Sequence, residues 1–203
     1  HYTNGNGFMG IMESSELHCS HISFLNDPSE HIYFDEVLNK VLLDSKGCKT
    51  IYDSLYNDSY FGGQYYNREY YVLSFSRNGD SLSMWNYYSN GNGYNLGLNI
   101  ENIIKNNTGK VGHVSRIELV YDEIEQYKLL KKYIESFKNE LARIKKLGLN
   151  IPDNSYEDDQ LTMEFIDGLI SMRLRFKHSG YDREEEIRFL VTKPEWIGRT
   201  NFY

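Results

Sequence analysis

The chain has few covalent means of holding itself together. Its two cysteines, Cys19 and Cys48, are too few for a disulfide framework across 203 residues. They also lack the paired spacing of a metal site, so a reducing, cytoplasmic compartment is the simplest expectation. Only three prolines are present, with no low-complexity linker and no internal repeat, which reads as continuous folded structure. No apolar run approaches the ~20 residues that span a bilayer, and no signal peptide opens the chain, so no membrane is expected among its partners. Excess basic charge is missing too. A net charge of −7 argues against broad binding to a nucleic-acid backbone, which needs clustered Lys and Arg. The strongest basic strip runs from Lys128 to Lys146, and its glutamates Glu135 and Glu140 interleave. That pattern reads as a solvated helix face.

What remains is ordinary in bulk. Hydrophobic residues make up 40% and charged residues 25%, and the length suits one domain over residues 1–203 with a core of its own, a small two-part architecture being the alternative. The 18 tyrosines are a departure. Tyrosine brings rigid apolar area with a polar tip, which a polar, planar ligand would use and which compositional bias would equally produce. The first residue is His1 rather than Met, so the chain is expected to continue upstream, as the rest of a strand.

Periodicity predicts a short helix over Gly7–Ser14 and a strand over Glu16–Leu25, in which Leu17, Cys19, His21 and Ser23 alternate. Asn26-Asp27-Pro28 reads as a turn that caps a helix from Ser29 to Asp44, with Tyr33, Phe34, Val37, Leu38, Val41 and Leu42 at helical spacing. A short helix over Thr50–Tyr56 and a Gly/Asn/Tyr-rich loop over Asn57–Asn67 follow. Tyr70–Ser76 is a strand, and Asp80 is expected to cap a helix with Met84, Trp85 and Tyr88. After the Asn90-Gly91-Asn92-Gly93 turn, Tyr94–Ile100 and Val114–Tyr121 read as strands. Asp122–Leu147 and Thr162–Phe176 read as amphipathic helices, and Gly198–Tyr203 as a last strand. Helices and strands mix without strict alternation. The expected class is therefore α+β, a mixed or antiparallel β core flanked by helices.

The densest chemical signal is Glu184-Glu185-Glu186, which opens the strand pattern Ile187-Arg188-Phe189-Leu190-Val191. Alternation places Glu184, Glu186 and Arg188 on one face and the apolar residues on the other. Glutamate is depleted in strands. One reading is an exposed strand with a weak surface Glu/Arg pair, and the other is a carboxylate pair at the mouth of a cleft. Glu185, on the opposite face, should be replaceable. Beside this stand His1-Tyr2-Thr3 and Ser74-Phe75-Ser76, each ending an element, where a terminal histidine and a Ser-x-Ser turn are the plain alternatives.

The segments Phe24-Leu25-Asn26-Asp27-Pro28-Ser29-Glu30, Ser74-Phe75-Ser76 with Met84-Trp85-x-x-Tyr88, and Phe176-Lys177 with Glu184-x-Glu186-x-Arg188 resemble a widespread bacterial family of unknown function. The resemblance runs over nearly the whole chain. A second, more distant resemblance is to the ADP-ribosyltransferase fold. It rests on order: a basic residue ending the first strand, a Ser-x-Ser ending a later one, and a Glu-x-Glu opening a late one. Phe75 stands where many of that superfamily carry Thr, and the Tyr-rich insertion before Ser74 has no counterpart.

That second resemblance implies an enzyme that consumes NAD, a transferase or a glycohydrolase, acting as a bacterial toxin or defence effector. Glu186 would be the catalytic carboxylate and Glu184 would face the acceptor, a protein or a nucleic acid. His1, with Tyr2 and Thr3, would hold a ribose of NAD, while Ser74 and Ser76 would support the nicotinamide end and Arg188 would keep Glu186 ionised. No metal is required, and an inhibitor or antitoxin protein is a further expected partner. Tyr2, Trp85 or Tyr88 would stack on a ring of NAD, against the plain reading of core packing. Asn26, Asp27 and Glu30 suffice as a turn and a charged helix start, or else help to shape the site. Two other classes compete. One is a metal-dependent nuclease or hydrolase with Asp27, Glu30, Glu184 and Glu186 around Mg²⁺, and the other is a non-catalytic nucleotide-sensing or interaction domain.

Overall fold

The computed structural model describes residues 1–25, 29–45, 70–89, 92–107, 113–146 and 160–192. The chain divides into two compact units, each drawn from stretches far apart in sequence. Unit 1 holds His1–Asn26, Glu69–Leu119 and Gly180–Tyr203, and unit 2 holds Asp27–Arg68 and Val120–Ser179. The fold is α+β with antiparallel sheets.

Unit 1 begins with β1 (Tyr2–Asn4) and α1 (Gly5–Ser14), whose first turn is capped by Asn4 accepting from Gly7 N at 2.9 Å. The strands β2 (Ser20–His21), β3 (Tyr70–Ser76), β5 (His113–Glu118) and β6 (Glu186–Thr192) form one sheet in the order β2-β3-β6-β5. β4 (Gly93–Asn95) pairs with β1 in a separate two-stranded sheet. Two helices complete the unit, α3 (Leu82–Tyr88) and α4 (Ile100–Asn107). β3 and β6 are rich in the aromatic and β-branched residues that suit a pleated, buried surface. On one face of this strand pair, Leu73, Phe75 and Phe189 form a core against Leu17, Cys19, Leu98, Ile187 and, from α4, Ile100 and Ile104.

Among the described residues, unit 2 packs three α-helices, α2 (Ser29–Asp44), α5 (Glu123–Lys146) and α6 (Gln160–Arg175). Their core contains Phe34, Val37, Leu38, Val41 and Leu42 of α2, Leu130, Ile134, Phe137 and Leu141 of α5, and Phe165 and Leu169 of α6. These are the i, i+3, i+4, i+7 positions of amphipathic helices, each large side chain contributing roughly 1.5–3 kcal/mol by burial. Asp122 caps α5 by accepting from Glu125 N at 2.7 Å. Lys128, Lys132, Lys138 and Arg143 of α5 are exposed, as a solvated face requires. Among the described residues no helix is long and apolar enough to cross a membrane.

Several sequence expectations are corrected. The Glu16–Leu25 strand contracts to Ser20–His21, because a 3-10 helix at Ile22–Phe24 turns the chain. The strand from Tyr94 stops at Asn95, and a helix follows it instead. Asn99 Oδ1 caps that helix from Asn102 N at 3.1 Å. Ser81, not Asp80, is the N-cap of α3, and Asp80 instead accepts from Trp85 Nε1 at 3.0 Å. The late strand begins at Glu186, since Glu184 ends a 3-10 helix (Ser179–Glu184) and Glu185 adopts φ 44. The elements expected at Thr50–Tyr56, Asn57–Asn67 and Gly198–Tyr203, and the turn at Asn26-Asp27-Pro28, lie outside the described residues.

Candidate functional site

The register of β3 on β6 sets Ser74 opposite Arg188 and Ser76 opposite Glu186. One residue beyond each strand the same register continues, with Arg77 N donating to Glu185 O at 3.0 Å. The odd-numbered residues of β3 therefore exchange the ladder bonds, and Ser74 and Ser76 occupy the non-bonded pairs, where opposing side chains come closest. Opposing residues share a face. Ser74, Ser76, Glu186 and Arg188 thus form one polar patch, with Leu73, Phe75 and Phe189 on the reverse of the sheet.

Arg188 is 2% exposed and Glu186 8%. Arg188 Nε donates to Glu186 Oε1 at 2.8 Å, and Nη2 to Oε2 at 3.2 Å. Burying either charge alone would cost several kcal/mol, which a two-point pair offsets. The expectation of an exposed strand with a weak surface pair is overturned by this burial.

Glu184 is also buried, but it reaches that state from the 3-10 helix and not by strand alternation. Its carbonyl accepts from Ser76 Oγ at 2.7 Å, and Ser76 Oγ accepts in turn from Asn78 N at 3.1 Å. The Ser76 hydroxyl therefore ties the end of β3 to the glutamate turn. Glu185 is exposed. Its left-handed backbone, not an opposite strand face, turns it outward, and its carboxylate accepts from Asn78 Nδ2 at 3.2 Å.

His1 extends the β1–β4 ladder, its N and O exchanging 2.9 Å hydrogen bonds with Leu96 O and N. This brings its ring to the end of β3, beyond the Tyr71 and Val72 positions that β2 pairs. Nδ1 lies 3.3 Å from Ser74 O, and the ring stands edge-on to Phe75 at 5.6 Å. A carbonyl only accepts, so the geometry calls for the hydrogen on Nδ1, which leaves Nε2 of a neutral ring as an acceptor. Thr3 is half-buried opposite Tyr94.

Tyr2 is a core residue. It is buried, its hydroxyl donates to Asn78 O at 2.7 Å and accepts from Ser81 N at 2.9 Å, and its ring meets Trp85 edge-to-face at 5.0 Å. Both ring and hydroxyl are occupied by the protein, so stacking on a ligand ring, expected of Tyr2 from the sequence, gives way to packing. Trp85 and Tyr88 are half-buried on α3. Glu30 belongs to unit 2, where its carboxylate lies 3.4 Å from the ammonium of Lys177 and both are buried. Asn26 and Asp27 lie outside the described residues.

The structure thus brings His1, Ser74, Ser76, Glu184, Glu186 and Arg188 together in unit 1. Sequence reading missed Asn78, which joins Tyr2, Ser76 and Glu185. Its only signal was the Asn-Gly of an unremarkable turn. Behind the sheet, burial pushes the Cys19 thiol up, so it is not an activated nucleophile. Among the described residues no three His, Cys, Asp or Glu side chains are grouped to hold a metal ion.

Comparison with curated proteins and with solved structures found no match. A family model does match, over residues 84–189. That span includes Met84–Tyr88 of α3 and the Glu184–Arg188 segment, and it begins after Ser74-Phe75-Ser76. It covers more than half of the chain, which therefore belongs to the family described as Protein of unknown function (DUF2971).

Proposed function

We propose that the protein cleaves the bond between nicotinamide and ribose in NAD, transferring ADP-ribose to an acceptor or to water on an ADP-ribosyltransferase-like fold. The observation that supports this reading is the β3–β6 register, which faces Ser74 and Ser76 with Arg188 and Glu186 while the His1 ring stands at Ser74 O. These are the residues, in chain order, for which the resemblance implied roles.

The chemistry needs a carboxylate that is already ionised. As the C1′–N bond breaks, its electron pair goes to the pyridinium nitrogen, which leaves as neutral nicotinamide. Positive charge is left on the ribose as an oxocarbenium-like state. Glu186, held by Arg188, is fixed in place beforehand; in this reading its carboxylate accepts from the ribose 2′-hydroxyl and stabilises the developing charge. His1 Nε2 accepts from a ribose hydroxyl. The acceptor nucleophile then bonds to C1′ and loses its proton, with Glu184 on the acceptor side.

A second reading has its own support. Both Glu186 oxygens engage Arg188, and Ser76 Oγ engages Glu184 O. A non-catalytic nucleotide-sensing or interaction domain would use the same polar patch as scaffold.

The deciding experiment follows nicotinamide release from NAD by the wild type, by Glu186→Gln and by Glu186→Asp, each with and without Mg²⁺. Loss of about 100-fold or more in both folded variants, independent of Mg²⁺, is expected. Release that persists in Glu186→Gln sinks the mechanism. Tight NAD binding without release favours the sensing domain, and release that depends on Mg²⁺ favours a metal-dependent hydrolase.

A further inference from the structure

Four polar groups of Asn78 reach four different partners. Its backbone N–H donates to Ser76 Oγ at 3.1 Å, and its carbonyl accepts from Tyr2 Oη at 2.7 Å. Its side-chain oxygen accepts from Asp80 N at 2.9 Å, and its side-chain nitrogen donates to Glu185 Oε1 at 3.2 Å. A backbone N–H can only donate, so the atom Asp80 N meets is the oxygen and the NH₂ group faces Glu185. The Asp80 contact is local turn chemistry. The contacts to Tyr2 and Glu185 are different, joining positions 76 and 107 residues apart.

Two of the four bear on the two residues before Glu186, one directly and one through Ser76. Ser76 Oγ, steadied by Asn78 N, donates to Glu184 O at 2.7 Å. Glu185 donates its N–H to Asp182 O and accepts Arg77 N at its carbonyl, both at 3.0 Å, while its carboxylate takes Asn78 Nδ2. Its φ of 44 is a backbone that a non-glycine residue holds only under constraint from its surroundings. Glu186 leaves directly from this constrained residue. A slip of one residue there would turn its carboxylate to the apolar side of the sheet.

We propose that Asn78 is a positioning residue: by holding the Glu184–Glu185 turn in its left-handed form, it sets the face and the reach of the Glu186 carboxylate. Its consequence for catalysis rests on the reading of Glu186 as the carboxylate that acts on NAD.

The test reverses one hydrogen bond. Asn78→Asp keeps the oxygen that Asp80 N uses but sets a second carboxylate against that of Glu185. Adding Glu185→Gln restores a donor facing an acceptor, in the opposite direction. Two readouts are taken on each variant: kcat and KM for nicotinamide release from NAD, and the NMR signal of Arg188 Nε–H, assigned with Arg188→Lys, which reports where Glu186 stands. In Asn78→Asp, kcat should fall about tenfold or more with KM within about twofold, and the Nε–H signal should shift. In the double variant both should return, kcat to within about threefold.

An Arg188 signal unmoved in folded Asn78→Asp overturns the positioning role, as does a double variant that stays as far displaced as the single. A signal that shifts and returns in a protein releasing no nicotinamide overturns the NAD reading and leaves the positioning of Glu186 standing. Should Asn78→Asp fail to fold, Glu185→Ala removes the same acceptor at an exposed position. An unmoved Arg188 signal in that variant overturns the proposal equally.

Discussion

Arg188 grips Glu186 from two positions along the same strand, Nε on Oε1 at 2.8 Å and Nη2 on Oε2 at 3.2 Å, with the guanidinium almost wholly out of water. A pair so buried is stable only while both members remain. Arg188→Met should therefore destabilise the protein by about 3–5 kcal/mol, because it removes one member of a buried ion pair. Glu186→Gln combined with Arg188→Met should recover much of that. Urea unfolding of the four proteins measures the coupling, and additive losses would show that the two side chains do not depend on each other.

Tyr2→Phe removes a hydroxyl that bridges Asn78 O and Ser81 N. Ser81 is buried, so its N–H loses this acceptor where water does not readily replace it. The expected loss is about 1–3 kcal/mol. Tyr94→Phe, at a residue 46% exposed, is the control and should leave the urea midpoint unchanged.

Tyr133 gives a pH signature in unit 2. Burial, and then the Glu164 carboxylate, push its hydroxyl from 10.0 up to about 12. The folded state keeps this proton where the unfolded chain has released it, so the unfolded state binds fewer protons and stability falls as pH rises. The contribution is complete below pH 10 and is lost toward about pH 12. Urea midpoints of the wild type and Tyr133→Phe, compared across that window, should converge as pH rises. Parallel curves would refute the shift.

Gly168 lies on α6 where an added Cβ would fall on the Tyr133 hydroxyl and ring. Alanine would gain up to ~1 kcal/mol of helix propensity, yet the ring, stacked on Phe165 and donating to its carbonyl at 3.0 Å, has to move. Overpacking of this kind costs about 1–3 kcal/mol. Gly168→Ala should be destabilising on balance, and thermal unfolding reads the sign. In the Tyr133→Phe background the penalty should shrink.

Long, periodic elements were legible in the residues. The α2 helix runs over Ser29–Asp44 as its spacing indicates, and α5, α6 and β3 fall within a residue or two of expectation. Each has an apolar stripe long enough for one period to dominate. The helix α4 was missed, although Asn99 before Ile100, Ile103 and Ile104 was a readable cap and stripe, because the preceding Tyr94-Asn95 had already suggested a strand. Of the candidate site, the residue types and their order were legible. The burial of Arg188 with Glu186 was not, since an i, i+2 pair of opposite charges looks the same on a wet strand and on a buried one.

The sequence by itself determined the class of the fold, the three amphipathic helices of unit 2, and the chemical inventory of serines, glutamates, histidine and arginine that a site could draw on. These depend on local periodicity and side-chain chemistry, both written in consecutive residues. Only the tertiary structure decided that Glu184, Glu185 and Glu186 part company into a buried helix end, an exposed left-handed turn and a buried strand residue. Alternation along the chain cannot foresee that break. The hydrogen bonds that impose it come from Ser76, Arg77 and Asn78, more than a hundred residues away.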